Sequence, residues 1–131
     1  FNEEGITEIA IYKFDGHEIV DQFISLVNPE IKNPKVLILG VAYKPGVGDV
    51  RETPVSELRD HLITQGALVA WHDPLVPIWE GSEPVELGWE CDVAILATKQ
   101  PGMDVEQLIK RDIQILDCTN SLKGLARVTS L

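Results

Sequence analysis

Basic residues are scarce in this chain of 131: eleven Lys and Arg stand against twenty-one Asp and Glu, for a net charge of −10. A surface so acidic repels nucleic acid and anionic membranes unless a local cationic patch overrides the field, so neither is an expected partner. Cysteine is almost absent as well. Cys91 and Cys118 lie far apart, with neither C-x-x-C nor a His/Cys cluster around them. No zinc site and no disulfide framework is predicted, and both read as core thiols in a reducing compartment. The three histidines, His17, His61 and His72, fall on a predicted turn, a helix and a strand end, so no metal site or triad is indicated. No apolar run approaches the ~20 residues of a membrane helix and no signal peptide opens the chain, so a cytoplasmic setting is expected. Both common phosphate fingerprints, G-x-G-x-x-G and G-x-x-x-x-G-K-[ST], are missing too, which disfavours generic NAD or ATP binding.

What the chain does have is 44% hydrophobic residues, enough for one core and too few for two sizeable ones. The pattern changes near Asn33-Pro34. Before it, Ile6–Phe14 and Glu18–Val27 alternate apolar with polar residues around Asp15-Gly16, which predicts an antiparallel β-hairpin. After it, strands are expected at Val36–Leu39, Leu68–Trp71, Val93–Ala97 and Ile113–Leu116. Helices are expected at Pro54–Gln65, closed by Gly66, and at Val105–Lys110. Such alternation implies a Rossmann-like α/β fold: a three-layer parallel sheet with helices on its faces, preceded by the hairpin. The predicted organisation is a hairpin appendage over 1–34 and an α/β domain over 35–131. In the first helix Val55, Leu58, Leu62 and Ile63 fall at core spacing, with Arg59, Asp60 and Gln65 outward. The Pro- and Glu-rich stretch from Pro74 to Gly88 reads as a loop. Trp71, Trp79 and Trp89 surround that loop, either anchoring it to the core or forming a dimer patch.

The richest segment is Val36–Glu52, VLILGVAYKPGVGDVRE, where a β-branched apolar run suited to a strand buried on both faces breaks into a glycine-rich turn. Gly40, Gly46 and Gly48 let the backbone turn sharply. Thr53-Pro54 then opens a helix with a hydroxyl cap and a first-turn proline. Strand, glycine loop and helix N-terminus form an anion-binding design in which free N–H groups and the helix dipole favour negative charge. Lys44 and Arg51 add full charges there.

Several of these strings coincide with one family. Gly40-x-x-Tyr43-Lys44-Pro45, Asp49-x-Arg51-Glu52-Thr53-Pro54, Gly66-Ala67-x-Val69 and Asp73-Pro74 together resemble the C-terminal domain of the nucleotide-sugar 6-dehydrogenases, over about residues 35–124. These enzymes oxidise UDP-glucose, UDP-N-acetylmannosamine or GDP-mannose to uronic acids. The resemblance implies an enzyme with an N-terminal NAD-binding domain, a central dimerising helix and this domain, which holds the nucleotide end of the substrate. The expected ligand is therefore a nucleotide sugar, UDP-sugar or GDP-mannose, and the expected protein partner is the remainder of the dehydrogenase. NAD would belong to the parent enzyme and not to this chain. No catalytic residue is assigned, because neither Cys91 nor Cys118 sits in the family's glycine-rich cysteine motif.

The substrate-binding candidates are Tyr43, Lys44 and Arg51. Lys44 matches the family lysine that approaches the nucleotide, against the alternative of a solvated loop lysine; a flexible point charge suits phosphate. Tyr43 packs on base or ribose, or else joins the core. Arg51 reaches substrate, or else braces the loop through Asp49 or Glu52. Asp73 reads as a ribose-binding acid or, before Pro74, as turn chemistry. One departure stands out: the family's Asp-x-Arg-Asn is Asp117-Cys118-Thr119-Asn120 here, and loss of that arginine's charge-assisted contact is worth ~1.5–3 kcal/mol unless Lys123 compensates.

Residues 1–34 carry a second resemblance. Ile6-Thr7-Glu8-Ile9-Ala10-Ile11-x-Lys13-x-Asp15-Gly16, Ile19-Val20-Asp21-x-Phe23 and Leu26-Val27-Asn28-Pro29 resemble the early strands of DnaQ-like 3′–5′ exonucleases. The metal-binding Asp-x-Glu of that family has no counterpart here, so no nuclease activity is expected. A hybrid chain, engineered or fused, would explain two resemblances meeting at Pro34. The alternative function is thus a non-enzymatic scaffold whose hairpin edges pair into a homodimer. A phosphoryl-accepting receiver-like domain is weaker, since the strand Val93–Ala97 ends in Thr98-Lys99 without an aspartate.

Overall fold

The computed structural model describes residues 20, 21, 24, 30–51, 53–119 and 128–130. The backbone there is a parallel sheet of five strands: β1 (Lys35–Leu39), β2 (Leu68–His72), β3 (Val93–Leu96), β4 (Gln114–Asp117) and β5 (Val128–Ser130), in spatial order β2-β1-β3-β4-β5. Two helices connect them, α1 (Val55–Thr64) and α2 (Glu106–Lys110). The α/β, Rossmann-like class expected from the alternating pattern is what forms. β5 was not expected: three residues with one apolar side chain carry no periodic signal, and only pairing with β4 makes them a strand.

β1 lies inside the sheet, in register with β2 through Leu37↔Ala70 and with β3 through Leu37↔Ala94. Its side chains alternate between two cores. Val36 and Ile38 join Leu58, Leu62, Trp71 and Ile95 on one face, whereas Leu37 and Leu39 join Leu96, Leu108 and Ile115 on the other. An interior parallel strand covered on both faces has no polar face to show, which is why it reads as an unbroken apolar run.

α1 begins beside Thr53, whose hydroxyl accepts a long bond from Val55 N–H at 3.4 Å, with Pro54 already helical at φ −63°. It ends at Gly66, in the left-handed region at φ +94°, where Gly66 N–H bonds Ile63 O and Ala67 N–H bonds Leu62 O. Val55, Leu58 and Leu62 are buried as expected, but Ile63 is not. It lies one step round the helix from Leu62, past the edge of the packed stripe.

The expected hairpin falls outside the described residues except at Val20, Asp21 and Ile24, and these three are helical rather than extended. Alternation misled there. Val20 and Ile24 are four apart, on one helical face, and both pack into the core cluster of α1 and β1. Asp21 reaches α1, with both carboxylate oxygens 2.9 Å from His61 Nε2. Asn33 also touches the domain, donating from Nδ2 to Gly66 O at 2.8 Å.

The stretch after β2 is a loop, pinned by its tryptophans. Trp71 and Trp79 are buried edge to face with centroids 5.7 Å apart, Trp71 Nε1–H donates to Ser82 Oγ, and Arg59 lies over Trp79. Anchoring is therefore their role within the described residues. Among those residues no helix is long and apolar enough to cross a membrane.

Candidate functional site

Parallel strands deliver all their C-terminal ends to one edge of the sheet. From β1 the chain moves outward to β2 and then returns past β1 to β3, so the connections leaving β1 and β3 diverge in opposite directions. In open α/β sheets a ligand binds at such a point, outside the carboxyl ends of the strands. The Gly40–Arg51 loop starts there.

Two side chains from neighbouring strand ends hold the base of that loop. Asp73, just after β2 and 1% exposed, accepts from Val41 N–H at 2.9 Å and Ala42 N–H at 3.2 Å through Oδ2, and from Leu75 N–H at 2.9 Å through Oδ1. Gln100, beyond β3 and fully buried, accepts from Gly46 N–H at 2.8 Å and donates to Val47 O at 2.9 Å. The two also bond each other, Gln100 Nε2 to Asp73 Oδ2 at 3.2 Å. Thr98 adds a hydroxyl bond to Ala42 O at 3.0 Å.

The packing around this base is close. Gly40, at φ +81°, lies so near the Thr98 carbonyl that an added Cβ would be 1.9 Å from its oxygen. Gly48 meets Leu75 O in the same way, at 2.3 Å. These two glycines are required by backbone approaching backbone.

The arrangement corrects one expectation. Five of the loop's N–H groups are spent within the chain and cannot cradle an anion: Gly40 N–H bonds His72 O, Val41 and Ala42 bond Asp73, Tyr43 N–H bonds Asp49 O, and Gly46 bonds Gln100. An anion at the start of the loop would meet side chains rather than these amides. At the first βα turn the amides of Gly40, Val41 and Ala42 are all taken by His72 O and Asp73, so a pyrophosphate lying there as in a dinucleotide-binding turn would find no donor among these three.

The expected binding residues project from this base. Lys44 is exposed and takes part in no ion pair among the described residues. Tyr43 is 60% exposed, so the alternative of a core tyrosine does not hold. Arg51 makes a two-pronged pair with Asp49, Nε to Oδ1 at 3.0 Å and Nη2 to Oδ2 at 2.8 Å. That contact pulls the Asp49 carboxyl down to about 2, first through the Arg51 side-chain bond and then through its backbone N–H. Arg51 thus braces the loop, as one of its two expected readings had it. Asp73 is more than a turn residue, because its carboxylate closes the Leu75 turn and organises the loop together.

Gln100 escaped notice in the sequence, and so did the true role of Asp73. The available signal was a polar residue four positions beyond the end of an interior strand and directly before Pro101. At the next strand end, Asp117 is fully buried and accepts from the hydroxyl and N–H of Thr119 at 2.7 and 2.8 Å. Thr119 carries no charge, and Lys123 lies outside the described residues.

A cavity of about 350 Å³ opens beside the loop, between the end of β2 and the Pro74–Glu86 segment, lined by His72, Asp73, Leu75 and Val85 among others. Tyr43, Lys44 and Arg51 are not in its walls. Cys91 and Cys118 are both buried, and burial raises their thiols, that of Cys91 to about 11. Protonated thiols are poor nucleophiles and fit core packing. Among the described residues no group of three or more His, Cys, Asp or Glu is placed to hold a metal ion.

Comparison with known proteins bears directly on this geometry. The family model described as UDP-glucose/GDP-mannose dehydrogenase family, UDP binding domain, matches residues 37–123. A UDP-glucose 6-dehydrogenase of Rickettsia bellii is 33% identical over 57 residues, which is 44% of this chain and 13% of that protein. A UDP-N-acetyl-D-mannosamine dehydrogenase of Methanococcus maripaludis is 34% identical over 86 residues, 63% of this chain and 19% of that one. The chain thus spans only a small part of the relatives it matches. Among solved structures, the UDP-glucose dehydrogenase of Pyrobaculum islandicum aligns with a TM-score of 0.65 at 24% identity, covering 87% of this chain and 28% of that one. The UDP-D-ManNAc dehydrogenase of Pyrococcus horikoshii aligns with a TM-score of 0.67 at 20% identity, covering 93% and 29%. Likenesses at this identity speak for the fold.

Proposed function

The chain belongs to the UDP-glucose/GDP-mannose dehydrogenase family and carries its UDP-binding domain, and from that membership we propose that Lys44 holds the diphosphate of a nucleotide sugar at the carboxyl edge of the sheet. The observation that carries this reading is an ammonium, unpaired among the described residues, on an exposed loop whose base is fixed at the switch point between β1 and β3. A lysine ammonium without an ion pair is available to a phosphate. Tyr43, exposed on the adjacent position, offers a ring to the ribose or base. Arg51 pairs with Asp49 on the same loop, and its side chain stays 87% exposed, within the solvent a ligand would approach from.

The parent family is NAD-dependent, and the hydride chemistry belongs with the remainder of the dehydrogenase, the proposed protein partner. Two buried thiols without a disulfide suit a reducing, cytoplasmic setting. The exonuclease-like reading of residues 1–34, and with it the hybrid chain and the hairpin-paired homodimer, rests on sequence alone. Of its described residues, Val20, Asp21 and Ile24 are helical, with Val20 and Ile24 packed on the domain core and Asp21 on His61.

Calorimetric titration with UDP, UDP-glucose, UDP-N-acetylmannosamine and GDP-mannose tests the proposal. Binding that weakens about tenfold in Lys44→Ala is the expected result, the size of one charge-assisted contact. Absence of heat at millimolar ligand, or unchanged affinity in Lys44→Ala, would overturn it.

A further inference from the structure

We infer that Asp73 and Gln100 are positioning residues for the nucleotide: buried away from any ligand, they set its affinity by fixing the backbone on which Tyr43 and Lys44 stand. This rests on the proposal that Lys44 meets the diphosphate.

The pair forms one saturated unit. The Gln100 oxygen takes Gly46 N–H, and its amide nitrogen gives to Val47 O and to Asp73 Oδ2. Asp73 takes three donors on one oxygen and Leu75 N–H on the other. An asparagine at 73 would offer one acceptor atom where two are used, so only an acceptor-only carboxylate completes the set. The consequence falls on the tip. Ala42 is held by Asp73 and Thr98, Tyr43 by its own N–H on Asp49 O, and Gly46 by Gln100, so Lys44 and Pro45 are suspended between fixed points on either side, of which Gln100 supplies the far one.

A segment held in this way keeps one arrangement before ligand arrives. When a site is competent for only a fraction of the time, apparent affinity falls by that fraction. Releasing one fixed point would lower the competent fraction without removing any group that touches the nucleotide.

Gln100→Met in the full chain is the decisive variant. It nearly preserves volume and removes all three bonds, and the freed groups belong to Gly46, exposed, and Val47, half-buried, on the loop and not in the sheet, so urea denaturation of the variant is read alongside to establish that the sheet stays folded. Two further measurements are read: amide exchange at Gly46 and in the sheet by NMR, and UDP affinity by calorimetry in wild type, Gln100→Met, Lys44→Ala and the double variant. Faster Gly46 exchange confined to the loop and a loss of about tenfold in UDP affinity are expected, with the Lys44→Ala loss of the same size in the Gln100→Met background, since the competent fraction and the contact made within it multiply. Unchanged Gly46 exchange overturns the inference, as does full affinity despite faster exchange. Faster exchange throughout the sheet as well as at Gly46 also overturns it, because general damage to the fold would then account for the loss. A wild-type chain without Lys44-dependent binding overturns the reading of Lys44 itself, and the Gly46 exchange rate then still decides whether Gln100 holds the loop.

Discussion

At the base of the Gly40–Arg51 loop, Asp73 and Gln100 are withdrawn from solvent and bond the loop's own backbone; at its tip, Tyr43 and Lys44 are exposed, and Arg51 pairs with Asp49, 2.8 Å away. The base is made of polar groups that are costly to bury and are therefore all satisfied. The tip is made of groups whose removal leaves nothing unsatisfied. Shape and recognition are thus carried by different residues, and a change in one need not disturb the other.

Asp73→Ala breaks that comparison most severely. It leaves the N–H groups of Val41 and Ala42 buried without an acceptor, and at ~1–3 kcal/mol for each a loss of about 3 kcal/mol is expected in urea denaturation. A loss below about 1 kcal/mol would show that water or a shifted backbone takes over the carboxylate's work. Gln100→Met costs less, about 1–2 kcal/mol, because two of its three partners belong to the loop residues Gly46, exposed, and Val47, half-buried, rather than to the core. Lys44→Ala sharpens the contrast from the other side: its urea midpoint stays within about 0.5 kcal/mol of wild type while UDP affinity falls.

The smallest effect is at the Asp49–Arg51 pair. The Asp49 carboxyl is depressed, so the contribution of the pair is present above the ordinary carboxylate range and is lost as the pH falls toward about 2. Both side chains are exposed and the stability change is correspondingly slight. The cleaner readout is NMR titration of Asp49, whose pKa returns toward the ordinary carboxylate range in Arg51→Ala. No return would mean that backbone N–H groups alone hold the carboxylate ionised.

Much of this was legible in the residues themselves. β1, β2, β3 and β4 follow apolar runs bounded by turn signals, and α1 follows its buried stripe from a proline start to a glycine stop. Lys44 and Tyr43 were legible as candidates because loop chemistry and motif coincide at them. What stayed hidden depends on distance in the chain. Gln100 and Gly46 are 54 positions apart and meet only once β1 and β3 pair. The fate of the loop amides was hidden for the same reason, since a free N–H and one bonded to Asp73 look alike in sequence. Around Val20 and Ile24 the apolar spacing satisfied both period two and period four, and contact with the core decided between them.

The two thiols lie on opposite faces of the sheet, Cys118 in the cluster with α1 and Cys91 in the cluster with α2. Each is a built-in sentinel for its own layer. An alkylating reagent at neutral pH reaches either sulfur only when the layer above it breathes, so the two labelling rates, resolved by mass spectrometry, would time the opening of the front and back of the molecule separately.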